Sequence, residues 1–84
     1  MRNGSMLSAK SKAEIGKRAA RFLKAKLKRG DLTYDELAKR LEEYGLDETR
    51  DSIASKLKRG SFPATFFLAC CGALNLGRVQ LKDI

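Results

Sequence analysis

Few side chains in this 84-residue sequence can do chemistry, and their spacing narrows the choice further. The two cysteines, Cys70 and Cys71, are adjacent, and histidine is absent altogether. Zinc and thioredoxin-like sites both use C-x-x-C spacing, whereas neighbouring positions on a helix point about 100° apart, so these thiols cannot readily share a metal. They read as two small core residues, with a reactive surface thiol as the alternative. Without histidine the commonest general base near neutral pH is missing. The chain has no G-x-S-x-G elbow, no P-loop and no glycine-rich dinucleotide turn. Catalysis would fall to carboxylates or lysine alone. The expectation is a protein that is not an enzyme and takes no metal, cofactor or small-molecule ligand.

What the sequence offers instead is positive charge. Eighteen Lys and Arg against ten Asp and Glu give a formal net charge of +8. The excess is segregated: residues 1–30 carry ten bases and one acid, residues 31–51 eight acids and three bases, residues 52–84 five bases and one acid. Two basic stretches flanking an acidic one suit a polyanionic partner, although lysine-rich helices also keep small proteins in solution. No apolar run approaches the roughly 20 residues of a membrane span, and the opening residues lack the apolar stretch of a signal peptide. A cytoplasmic protein without membrane contact is expected.

The elements that would position these charges follow from apolar spacing and capping. Residues 1–11 read as a flexible basic arm, in which Gly4-Ser5-Met6 fits a cloning remnant ahead of a native start at Met6. Residues 12–84 read as a single all-α domain of four to five helices. Ser11-Lys12-Ala13-Glu14 is a capping box, followed at helical spacing by Ile15, Ala19, Phe22, Leu23 and Leu27, which predicts a helix from Lys12 to Arg29. Thr33-Tyr34-Asp35-Glu36 is a second box, leading a stripe of Leu37, Ala38, Leu41 and Tyr44 that Gly45 ends. A third helix spans Thr49 to Arg59 with Ile53, Ala54 and Leu57 inward. Pro63 suits the first position of a fourth, strongly apolar helix carrying Phe66, Phe67, Cys70, Cys71 and Leu74, within which Gly72 permits close packing. Val79 to Ile84 fits either a short strand or a last turn.

The stretch Lys-Leu-Lys-Arg-Gly occurs twice, at residues 26–30 and 56–60. In both copies cations close a helix, where they favour the negative end of its dipole, and a glycine follows that can enter the left-handed conformation. Leu32 and Phe62, two residues past each glycine, are placed to fold back on Leu27 and Leu57. Beyond that the copies diverge, so this is a repeated helix stop rather than a duplicated unit. Gly30→Ala and Gly60→Ala are therefore expected to cost alike.

In order and combination these features resemble the helix-turn-helix domains of the Cro/phage-repressor class. Thr33-Tyr34-Asp35-Glu36-Leu37-Ala38 is similar to that family's T-x-x-E-L-A, and Ser55, Leu57 and Arg59-Gly60 to its S-x-(I/L)-x-R-G. Pro63 and the apolar run to Leu74 are similar to the helix that follows. From Glu36 to Gly60 the chain has about six residues more than the family's usual spacing, so helix two is longer, the turn looser, or both. The resemblance implies a repressor-like transcriptional regulator that binds double-stranded DNA as a homodimer, with the third helix in the major groove. Ser52, Ser55, Lys56 and Arg59 would turn outward and contact bases. Thr33, Tyr34, Lys58 and Lys24 would meet phosphate. Asp47, Glu48 and Asp51 crowd the start of that helix, as caps first and as acceptors from cytosine second. The acidic stretch from Glu42 to Asp51 also fits a different class, a helical protein-interaction module such as an adaptor or an antitoxin-like partner.

Overall fold

Each of the first three helices starts where a short polar side chain takes up backbone N–H groups that have no partner within the helix. Ser11 Oγ accepts from the Glu14 N–H at 3.1 Å and opens α1, Lys12–Arg29. Thr33 and Glu36 cap each other reciprocally at the head of α2, Tyr34–Leu41. Thr49 and Ser52 do the same for α3, Arg50–Arg59. Pro63 stands at the cap of α4, Ala64–Ala73, one position earlier than its fixed φ suggested, and its carbonyl accepts from Phe66 at 3.0 Å. The computed structural model describes residues 11–84, so the basic arm and the Met6 start lie outside the described residues except for Ser11.

The described chain is all-α, with four helices, single 3-10 turns at Glu42–Tyr44 and Leu81–Asp83, and no strand among the described residues. α1 packs on α3 and α4, and α2 packs on the same two helices. Leu23, Leu37, Leu41, Ile53, Leu57, Phe66 and Cys70 are almost fully buried between them. Each of the aliphatic members stabilises the fold by roughly 1.5–3 kcal/mol through burial.

The face that α1 buries is offset from the expected stripe. Phe22, Leu23 and Leu27 are buried as expected, Ala20 is buried with them, Ala19 is half-buried and Ile15 is 41% exposed. The reason lies at Gly16, where a Cβ would overlap the Gly60 carbonyl oxygen outright. α1 therefore rolls onto Gly16, Ala20, Leu23 and Leu27, and Ile15 falls to the edge. Tyr44, expected inward, is 49% exposed, and its ring instead lies on the flank of α4, where a Cβ on Gly72 would come within 2.7 Å of its hydroxyl. Val79 to Ile84 form no strand. A 3-10 turn at Leu81–Asp83 brings Ile84 down on α1, where Arg18 Nε and Nη2 donate to its main-chain oxygen at 3.2 and 2.9 Å.

The two Lys-Leu-Lys-Arg-Gly copies do not end their helices alike. Gly60 is left-handed at φ 70, and its N–H returns to the Lys56 carbonyl at 2.9 Å. Gly30 has φ −84, and the left-handed residue is Asp31 at φ 55. The Leu32 N–H then reaches the Leu27 carbonyl at 2.9 Å and the Asp31 N–H the Lys28 carbonyl at 3.1 Å, a Schellman closure one residue later than the glycine. Aspartate tolerates that conformation better than most residues, which lets the turn shift past Gly30.

Three substitutions check this description by urea midpoint. Gly30→Ala should change stability by no more than about 0.5 kcal/mol, because its φ suits alanine. Gly60→Ala should cost about 1–2 kcal/mol from strain at positive φ and from contacts at 3.2–3.3 Å with Gly16 and Lys17. Gly16→Ala should cost at least about 2 kcal/mol, since backbone must move to admit the methyl. Equal midpoints for the three would contradict the crossing.

Candidate functional site

α3 presents its side chains in two groups. Ile53 and Leu57 fix the buried face, so Asp51, Ser55, Lys58 and Arg59 stand on the opposite, exposed side. Ser52 and Lys56 lie to one flank and are half-buried. Glu48, in the segment leading into α3, holds both of them. Ser52 Oγ donates to Glu48 Oε1 at 2.6 Å and Lys56 Nζ donates to the same oxygen at 3.1 Å. The side chains of Lys56 and Glu48 are only 23% and 11% exposed, and Lys56 Nζ also lies 5.6 Å from the centre of the Phe66 ring. A pair so little exposed is screened far less than one on the open surface.

The four residues expected to contact bases therefore separate. Ser55 and Arg59 face outward, while Ser52 and Lys56 are engaged with Glu48 and the start of the helix. Arg59 is itself folded along α3, with Nη1 donating to Ser55 Oγ at 3.3 Å and Nη2 to the Ser61 carbonyl at 3.1 Å.

The residues expected at phosphate separate too. Thr33 donates its backbone N–H and its hydroxyl to Glu36 Oε1, at 2.8 and 3.1 Å, so that carboxylate already occupies the donors of Thr33. The Thr33 N–H and then its hydroxyl hold the Glu36 carboxyl below its ordinary range. This interaction stabilises the chain above the unfolded-state pKa and is lost as pH falls through the lower folded-state value. Tyr34 is half-buried and packs against the core.

Lys58 and Lys24 come together. A shallow groove of about 220 Å³ between α1 and α3 is lined by Lys17, Ala20, Arg21, Lys24, Leu57 and Lys58. All four cations are exposed, no acid lines the groove, and none of the four makes an ion pair with another described residue. Like charges at helical spacing cost a few tenths of a kcal/mol per pair, so Lys17, Arg21 and Lys24 hold a repulsion that an anion would relieve. Lys17 and Arg21 escaped the sequence reading as site residues. Their spacing with Lys24 marks one helix face, but nothing local shows that Lys58 lies across from it. At the start of α1, Glu14 shares a separate cleft with Lys17, Arg18 and Arg21.

Cys70 and Cys71 are both free and buried, which removes the reading of a reactive surface thiol. Burial, then the neighbouring Cys71, then Glu48 push the Cys70 thiol up to about 12, and burial raises Cys71 as well. Among the described residues no three metal-capable side chains converge, and no helix is long and apolar enough to cross a membrane.

Residues 16–79 match the profile of a protein family described as Domain of unknown function (DUF6471). No curated protein and no solved structure matches the chain.

The thiols give a direct test of this packing. At pH 8 Cys70 in the native protein should alkylate on the order of a thousandfold more slowly than an exposed cysteine, and both thiols should react freely in denaturant. Rapid labelling of either thiol without denaturant would contradict their burial.

Proposed function

The chain belongs to the DUF6471 family, a domain of unknown function, and for this member we propose binding to double-stranded DNA along the α1–α3 face. The observation that carries the reading is the groove in which Lys17, Arg21 and Lys24 of α1 meet Lys58 of α3 with no acid among them. Phosphates spaced along a duplex relieve the mutual repulsion of such a row and release counterions as they do so. The outward side of α3 adjoins this groove, because Lys58 belongs to both. Ser55 and Arg59 then face the bases while the α1 row follows the backbone.

This is the helix-turn-helix manner of the Cro/phage-repressor class, with two differences that the local contacts favour. Thr33 is left out of the phosphate contacts, since Glu36 holds its donors. Ser52 and Lys56 are left out of the base contacts, since Glu48 holds them. Asp51 stands at the N-terminal end of the exposed face and repels phosphate there, so the C-terminal half of α3 carries the contact. Arg59 exchanges its bonds to Ser55 and Ser61 for a guanine edge, the commonest partner of an arginine in the major groove.

Salt and substitution separate these roles. Affinity for duplex DNA should fall log-linearly with salt, and Lys17→Ala, Arg21→Ala, Lys24→Ala and Lys58→Ala should each reduce that slope by about one contact, alike for all sequences. On a site selected from a random duplex pool, Arg59→Ala should lose about 1–3 kcal/mol of preference at particular base pairs and little on a scrambled site. Lys56→Ala should lower stability and leave affinity nearly unchanged. A flat salt response would end the DNA reading and leave the exposed Glu42, Glu43, Asp47 and Asp51 to be tested against a basic protein partner.

A further inference from the structure

α4 is apolar on every side, yet one side is uncovered. Phe66, Ala69, Cys70 and Ala73 enter the core, while Ala64, Thr65 and Leu68 face solvent, with Leu68 65% exposed. A helix that is apolar all round is normally covered all round. Next to this ridge runs an apolar groove of about 420 Å³ between the beginnings of α1 and α4, walled by Ile15, Ala19, Phe62, Phe67 and Leu81. Ile15 and Leu81 are 41% and 48% exposed, and Ala64 belongs to both the ridge and the groove.

We infer that a second copy of this chain covers this surface, with Leu68 of each copy entering the groove of the other about a two-fold axis. Two features select that occupant. A two-fold interface must be complementary to itself, and here an exposed apolar knob and an apolar groove lie side by side on one patch. The second is charge. Residues 60–77 contain no charged side chain, in a chain whose net charge is +8 and whose first three helices all expose cations. Two such chains repel wherever their basic faces meet and approach at least electrostatic cost across α4. An acidic partner gains nothing on this face and is drawn to the cations instead. The groove's one charged lining residue is Lys12.

The pairing does not rest on the DNA reading, and salt distinguishes the two: added salt screens the repulsion between copies and should tighten the dimer, whereas it weakens phosphate contacts. Sedimentation equilibrium of the full chain over a concentration series should approach twice the 9.3 kDa of one chain. Leu68→Glu should raise the dissociation constant at least about tenfold, because each copy would bury an unpaired carboxylate, and should leave the helical circular dichroism unchanged. Leu81→Glu should act in the same way and carries the test if Leu68→Glu fails to fold. Lys24→Glu, distant from the patch in the α1–α3 groove, should leave the dimer intact. A mass of 9.3 kDa persisting to millimolar concentration, or a dimer that survives both leucine substitutions, would overturn the inference.

Discussion

Gly16 and Gly60 meet backbone to backbone, and this contact fixes how α1 crosses the end of α3. A glycine inside a helix costs about 1 kcal/mol relative to alanine, so Gly16 weakens α1 taken alone. The offsetting gain is proximity. With no side chain between them, the two backbones close up and Ala20, Leu23 and Leu27 are drawn into the core beside Ile53 and Leu57. Gly60 serves twice, since its left-handed φ of 70 ends α3 at the place where α1 must pass. The cation groove follows from the same crossing, because Lys17, Arg21 and Lys24 continue along α1 from Gly16 and Lys58 stands two residues before Gly60.

Three helical segments close with one device that the eye, caught by the repeated Lys-Leu-Lys-Arg-Gly, passes over. In Leu27 to Leu32, Leu41 to Leu46 and Cys71 to Leu76, the last N–H returns to the first carbonyl at 2.9, 3.2 and 3.0 Å. The residue before each final leucine is left-handed: Asp31 at φ 55, Gly45 at φ 79 and Asn75 at φ 58. These are the residue types for which that conformation is cheapest. In each case the closing leucine folds back toward the core, so the stop also adds to the apolar packing. α3 alone ends differently, with a single bond at Gly60, which is the residue α1 must approach.

The residues between α2 and α3 are not slack. α2 is short, ending at Leu41, and the residues after it form a 3-10 turn and a lead into α3. That segment places Tyr44 against Gly72 of α4, closes Leu46 on Leu41 and delivers Glu48 to Ser52 and Lys56. The cost of sheltering the Glu48 carboxylate is met by a hydroxyl and an ammonium on the same oxygen. The flank of α3 is thereby committed to structure, and its opposite side is left as the exposed one.

The sequence by itself determined the elements: the caps at Ser11 and Thr33, the inward Leu23, Leu37, Leu41, Ile53, Leu57 and Phe66, and the all-α class. These depend on residues within a turn or two of one another, and such short-range chemistry is written directly in spacing and side-chain type. Even so, the choice of Asp31 over Gly30 as the left-handed residue was not legible, because both residue types permit the turn. Only the tertiary structure decided which charged groups act together. Lys17 and Lys58, and Gly16 and Gly60, are brought together by how α1 crosses α3, Arg18 and the Ile84 oxygen by the return of the last turn onto α1, and Glu48 and Lys56 by the path of the segment that enters α3. No local periodicity encodes a crossing, since it is the whole core that sets the distance and rotation of each helix against its neighbours.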